Sequence, residues 1–498
     1  MSFLWKRGPL PPKRIRTDTV LPVPSWDDQR RMRECCLHVT YRFDDILDPE
    51  VLRRSLERLL QFDGWRTLGA RLRKRDDGKL EYHIPAQYDA KRPGFNYTVV
   101  KYPMGINEHP LAASFPQATG QPSLLGNPAD LLSLCLCPDC PQHIEDWLYS
   151  DRPQLVIDVV SFGDATLLTV TFLHTLMDAM GLASFIKAWT AVMNGQEDQV
   201  PTFQEIDEDP AARFTDRTPA DAYVNSTFLL TGLRLLVFVF CYIFELIWHR
   251  GHNERIICIP GQYVDEMRDQ ALNELAEQNK EQPAPFLSEG DVLLAWWLKA
   301  LLRALNPSPG RMISILNVFD IRSTALQESP STNTAFITNA ALVSITFLRT
   351  HQILHEPVSF VASHIRRSLV QQRTLPQIEA CFALHKATSE KNSHPPVFGE
   401  PTSLLVCCTN WHRGRFFEVD FSSAVITPGI PLNDRVHPLG RPSCVIPTQH
   451  LGGLALRNVG PIIGKDAAGN WWLSCTLRTS AWSGIEQELN SLGGKKSQ

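Results

Sequence analysis

LVIDVVSFGDATLLTVTFLHTLMDAMG, residues 155–181, carries the strongest structural signal in the chain. Leu155–Phe162 and Thr166–Leu173 are rich in β-branched residues, and Gly163-Asp164-Ala165 between them is a hairpin signal. The second run delivers the chain directly to His174. A helix from about Leu182 to Met193 is expected next, ending near Asn194-Gly195. A histidine at the exit of a buried sheet is held rigidly at the floor of a cleft. Its ordinary pKa lies near neutrality, so the neutral ring can take a proton from an alcohol, the work of a general base. Asp178 need not touch a substrate. A short acidic side chain at that spacing can instead fix the local turn by pairing with a cation.

Outward from this stretch, helices and strands interleave without a regular period. Asp48 can cap a helix whose first turn holds Pro49, and Val51, Leu52, Leu56, Leu59 and Leu60 form its apolar stripe. Trp65 to Pro85 reads as strands around the turn Asp76-Asp77-Gly78, and residues 104–150 as loops with short helices. Ser288 to Asp291 resembles a capping box opening a helix to about Leu305. Met312–Phe319, Ala340–Phe347, Leu404–Cys408 and Trp471–Leu477 read as buried strands, Val358–Gln372 as a helix, and a final helix starts at Gly484. The pattern implies an α/β protein with mixed (α+β) sheets rather than a doubly wound one.

A length of 498 residues makes two domains of about 200–250 residues the default. The boundaries expected are 1–225, an apolar crossover at 226–270, and 271–498. A net charge of −4 with no basic stripe argues against nucleic acid as a partner. Twelve scattered cysteines, including the adjacent pairs Cys35-Cys36 and Cys407-Cys408, fit the reduced thiols of a cytoplasmic protein. Met1 to Arg16 is basic but lacks the apolar core of a secretory signal, and the tail Gly494 to Gln498 matches no retention or peroxisomal address.

Two stretches invite other readings. Cys135, Cys137, Cys140 and His143 look like a metal clip, but zinc sites normally need a second ligand pair, so a cysteine-rich loop and no metal are expected. Thr227–Trp248 approaches the ~20 residues that cross a bilayer. Arg234 and Glu245, eleven apart, fall on one side of a helix with Thr227 and Cys241, opposite Leu229, Leu236, Phe240, Ile243 and Ile247. That arrangement ranks peripheral membrane contact first, packing within the fold close behind, and a true span last.

The stretch from His174 to Asp178 resembles the HXXXD motif of the BAHD acyltransferases and their relatives in the wider CoA-dependent acyltransferase superfamily. In flavour it is similar to the filamentous-fungal branch that acylates secondary metabolites. Gly64-Trp65-Arg66-Thr67-Leu68-Gly69-Ala70-Arg71-Leu72, Asp77 to Pro85, Phe319-Asp320-Ile321-Arg322 and Ile337-Thr338-Asn339-Ala340 resemble the same branch, so the likeness spans nearly the whole chain. Leu173 stands where peptide-synthetase condensation domains carry a second His, and the His–Asp spacing differs from that of glycerolipid acyltransferases.

The resemblance implies two domains with His174 in a channel at their interface, open to acyl-CoA on one side and to the acceptor on the other. It implies His174 as catalytic base and Asp178 as a structural residue. The family's DFGWG motif corresponds to Val419-Asp420-Phe421-Ser422-Ser423-Ala424, which keeps Asp and Phe but not the glycines or the Trp. By the resemblance Asp420 is expected to pair with Arg322. Thr409, Asn410, Trp411 and Asn339 are candidates to line the acyl-CoA and oxyanion site, with core and loop roles as the alternative for the first three. The implied reaction moves an acyl group, most plausibly acetyl, from CoA to a hydroxyl of a terpenoid or polyketide alcohol. It needs no bound cofactor, and the family is usually monomeric. The competing reading is an inactive member that binds a metabolite or partner without turnover.

Overall fold

The computed structural model describes residues 10–204, 209, 213–278, 286–326, 333–392, 395–452 and 457–494. The first residues of the basic start, part of the 196–225 linker and the tail beyond Gly494 lie outside them. The two largest sheets, both mixed and flanked by helices, frame the molecule. The first runs β9-β1-β4-β3-β2, where β1 is Cys35–Phe43, β2 Asn96–Lys101, β3 Val156–Ser161, β4 Thr166–Leu173 and β9 Cys444–Leu451. The second runs β7-β6-β8-β10-β11-β5, with the short strand Ser123–Leu124 on its far edge. Here β5 is His252–Ile259, β6 Met312–Asp320, β7 Ala341–Arg349, β8 Leu404–Asn410, β10 Val459–Lys465 and β11 Trp471–Arg478.

The expected hairpin forms, with β3 and β4 antiparallel and the Phe162 N–H donating to the Ala165 carbonyl at 2.8 Å. All eight residues of β4 are buried, because both faces of the sheet are covered. Helix α1 (Pro49–Leu59) is capped by Asp48, which accepts from the Glu50 N–H at 2.8 Å. Trp65–Gly69 is a short 3₁₀ turn rather than a strand, its backbone closed by the Thr67 N–H donating to the Gly64 carbonyl at 3.0 Å, and the Trp65 indole donates to the Pro201 carbonyl. The hairpin expected beyond it is present as Arg71–Lys74 and Leu80–Ile84.

The sheets do not respect one cut in the chain. Strand β9 comes from the last sixty residues yet pairs with β1, while Ser123–Leu124 pairs with β5. Strand β5 itself lies inside the segment expected to be a plain crossover. An exchange of this kind covers strand edges that each half alone would expose. The core around the first sheet accordingly includes Ile256, Trp411, Phe421 and Ile446 from later in the chain. Helices α4 (Gly261–Gln278), α5 (Glu289–Leu305), α6 (Val358–Gln372) and the terminal α8 (Trp482–Gly494) enclose the second core. Helix α7 (Leu375–Asn392) packs on a smaller aromatic cluster with Phe214, Tyr223 and Phe336.

Candidate active site

His174 follows β4 directly, and its N–H donates to the Cys35 carbonyl at 2.8 Å, continuing the ladder one step past the strand. The Asn339 side-chain amide donates to the His174 carbonyl at 2.7 Å, so the backbone is gripped from both sides. Nδ1 of the ring is buried without a hydrogen-bond partner. The ring as a whole is only half-buried, which leaves Nε2 as the nitrogen reaching open space. Burial holds the imidazole below its usual pKa, and Arg31 adds to that, against smaller opposing effects of the residue's own carbonyl and of Asp178. The ring is therefore neutral at physiological pH and can accept a proton.

Asp178 ends the turn after His174 and starts helix α2 (Ala179–Met193), three residues earlier than the apolar pattern implies. It is the cap: Oδ1 accepts from the Gly181 N–H at 2.8 Å. The same carboxylate takes two bonds from Arg322, at 2.8 and 3.2 Å, and one from the Ala340 N–H at 2.9 Å. Burial works to raise its pKa, but Arg322 and the two N–H groups hold it below the ordinary carboxylate range. Arg322 is spent on structure too. It donates to the Phe336 and Thr338 carbonyls and to Asp320 at 2.9 Å. Asp178 thus turns away from the histidine's open side and ties the first half of the chain to residues 336–340 of the second.

The expected Asp420–Arg322 pair does not form. Asp420 accepts from the Ser422 N–H at 2.9 Å, and its carbonyl accepts from Asn194 at 3.1 Å. Asn194 is at the C-terminal end of α2, about 24 Å from the Asp178 end at 1.5 Å per residue. Arg322 is bound at the N-terminal end, so distance forbids the pair. The eroded motif serves packing instead. Phe421 is fully buried between Phe43 and Trp189, with ring centroids 5.1 and 5.6 Å away. The tight approach is made by Gly440 (φ +69°), where a Cβ would fall 2.3 Å from the Ser422 nitrogen.

Asn339 is in the site but not as an oxyanion donor. Both amide hydrogens are used, one on the His174 carbonyl and one on Asp27 Oδ1 at 2.7 Å, while its backbone N–H also donates to Asp27 at 2.8 Å. Burial pushes the Asp27 carboxyl up to about 8 against these bonds. Asp27 is a positioning residue that the sequence pattern gives no reason to single out. Of the segment after β8, Trp411 is buried against Phe416, and Asn410 accepts from the His412 N–H in its own turn at 3.0 Å. Thr409 is half-buried, and no hydrogen bond occupies its hydroxyl. The turn that follows rests on α2, where a Cβ on Gly414 would stand 3.2 Å from Met180 Cε.

The cysteine-rich loop holds something the spacing does not reveal. The sulfurs of Cys137 and Cys140 and a carboxylate oxygen of Asp158 lie within 4.8 Å of one another. The hydrogen bond with Cys140, then burial, push the Cys137 thiol up, and burial pushes Asp158 up as well. Those directions favour a protonated, hydrogen-bonded cluster.

A neutral histidine braced by two buried acids through other groups thus stands at the end of β4 in this two-sheet α/β fold. Residues 141–425 match the Transferase family, and the chain belongs to it, among the BAHD acyltransferases. It is 40% identical to the acetyltransferase adrJ of Penicillium roqueforti, over 99% of this chain and 100% of that one. It is 42% identical to the acetyltransferase sphE of Aspergillus fumigatus, over 99% of each. The fold is similar to that of TRI101 of F. sporotrichioides, solved with coenzyme A and T-2 (TM-score 0.64, 14% identity, 93% of this chain and 96% of that one). The chain is an acyltransferase.

Proposed function

We propose that the chain transfers an acetyl group from acetyl-CoA to a hydroxyl of an apolar secondary metabolite, a terpenoid or polyketide alcohol, with His174 as general base. The observation that carries this reading is a neutral His174 whose Nε2 is left open while Asp178, Arg322 and Asn339 around it are committed to structural hydrogen bonds. The acceptor oxygen gives its proton to Nε2 as it attacks the thioester carbonyl. The tetrahedral oxyanion then collapses, the C–S bond breaks, and the imidazolium returns the proton to the departing thiolate. A positioned base contributes about 10²–10⁴ in rate, with orientation and oxyanion donors supplying the rest. We assign the hydroxyl of half-buried Thr409 as the donor to that oxyanion. CoA and acceptor enter from opposite ends of a channel where residues 336–340 meet the first sheet. The enzyme works as a monomer in the cytoplasm.

The test is CoA release by the purified protein and by His174→Ala, with acetyl-CoA and a panel of terpenoid and polyketide alcohols. Turnover in the wild type should fall by about 10²-fold or more in the variant while acetyl-CoA still binds. Equal turnover in both would remove His174 as the base. A wild type that neither binds nor releases CoA would leave the binding-protein reading in its place.

A further inference from the structure

Helix α3 (Gly232–Trp248) is mounted the wrong way round for a helix in water. Its one acid, Glu245, points inward and pairs with Arg311 at 3.2 Å, while of its residues only Phe238 is buried. Outward stand Leu233, Leu236, Val237, Val239, Phe240, Ile243, Phe244, Ile247 and Trp248, with Leu233, Phe240 and Trp248 at 75%, 70% and 72% exposure. A single exposed apolar residue means little, but a contiguous face of nine on one helix is a docking surface. The helix is firmly held in that pose. Arg457 donates to the Glu245 carbonyl at 3.2 Å, the Leu246 carbonyl at 3.4 Å and the His249 carbonyl.

Charge indicates what covers the face. Arg234, Arg250 and His252 are exposed at its two ends, and Glu245 is the only acidic residue from 227 to 252. Beneath the helix lies a cavity of about 240 Å³ lined in part by Glu245, His249, Arg311, Arg457 and Arg478. Glu245 pairs directly with Arg311 and its charge also reaches Arg457. Arg457 and Arg478 bind only carbonyls and His249, and have no acidic partner among the described residues. Nε of each is buried without a hydrogen-bond partner. Burial, with Arg478 beside it, keeps His249 below its usual pKa, so the three arginines that line the cavity face a single carboxylate, that of Glu245. An apolar face rimmed by cations, with Trp at one end, matches a leaflet of anionic phospholipid.

We propose that α3 and the arginine-lined cavity beneath it form a binding site for an anionic phospholipid bilayer, with the helix lying in the interface and a lipid phosphate meeting Arg457 and Arg478. No helix among the described residues is long and apolar enough to cross a membrane, so the contact is from one side. The site is remote from the chemistry. Strand β8 starts at the cavity with Leu404 and reaches Asn410 about 20 Å further on, at 3.3 Å per residue. Membrane attachment therefore leaves His174 free, and the proposal stands apart from the acyl-transfer reading.

The experiment is sedimentation of the full chain with vesicles of phosphatidylcholine alone and of phosphatidylcholine with phosphatidylserine. The protein should pellet with the mixed vesicles at least about tenfold more tightly than with the neutral ones. The double variant Phe240→Ser/Phe244→Ser should lose about tenfold or more of that binding, while CoA release on a soluble acceptor and the urea unfolding midpoint stay as in the wild type. Arg234→Glu/Arg250→Glu should abolish the preference for phosphatidylserine. Protein that stays in solution with both vesicles, or a double variant that binds as well as the wild type, overturns the proposal. A concentration-dependent dimer that only the double variant breaks would instead assign the face to a second copy.

Discussion

Nε2 of His174 is the ring nitrogen that faces open space, Nδ1 being buried without a partner, and burial sets when it works. The ring's pKa lies below its ordinary 6.5, so the free base is the major form down to that pH. A general base acts when unprotonated, so kcat/KM should be flat above about pH 6.5 and fall below it as imidazolium forms. The pH dependence of CoA release measures this; an acid limb centred above about pH 7 would contradict it. Asp178 and Asp420 make a second contrast at this scale. Asp178 is a buried counter-ion of buried Arg322, and Asp178→Asn removes that charge. Breaking such a pair costs about 3 kcal/mol or more. Asp420→Asn, half-buried with one backbone hydrogen bond to lose, should cost about 1 kcal/mol or less. Urea unfolding of the two variants reads the difference directly, and equal costs would reject the assignment of Arg322 to Asp178.

Among the elements, α2 does the most positioning. Its first turn carries the cap, the tie to the second half and the close approach of another backbone. A Cβ on Gly181 would fall 2.0 Å from the Ile337 carbonyl oxygen. Gly181→Ala should therefore push α2 away from residues 337–340, lowering stability by about 2 kcal/mol and CoA release with it. Urea unfolding and turnover of the variant test this, and a variant as stable and active as the wild type would show that the approach is not needed. The trailing glycine is visible in the sequence, but its reason is not. The spacing marks a turn, whereas the demand comes from a segment more than 150 residues away.

The whole molecule is held by exchange between its halves. Every residue of β1 is buried, and β1 lies between β4 and β9, the latter from residues 444–451. A fragment ending at residue 225 would carry β1 as a bare edge of nine residues that the whole chain buries, and Asp178 without Arg322. Such a fragment should be insoluble when expressed alone and recover when co-expressed with residues 226–498. Size-exclusion chromatography of the fragment decides it; a soluble, cooperatively folding monomer would make 1–225 an autonomous domain.

What the sequence determined by itself is local. Runs rich in β-branched residues around a Gly-Asp-Ala turn specify the hairpin, and the hairpin places His174 at its exit. Capping patterns at Asp48 and Ser288 specify helix starts, because the cap and its N–H donors are neighbours along the chain. The resemblance carried by His174 and Asp178 named the family. Only the tertiary structure decided partnership. Arg322 goes to Asp178 rather than Asp420 because the length of α2 separates the two acids. Asn339 and Asp27 brace the histidine although they stand 312 positions apart. The helix at 232–248 turns its charge inward and its apolar face out, since Arg311 and Arg457 hold its polar side. Periodicity fixes which residues share a face, but the direction that face points is set by contacts with residues far along the chain.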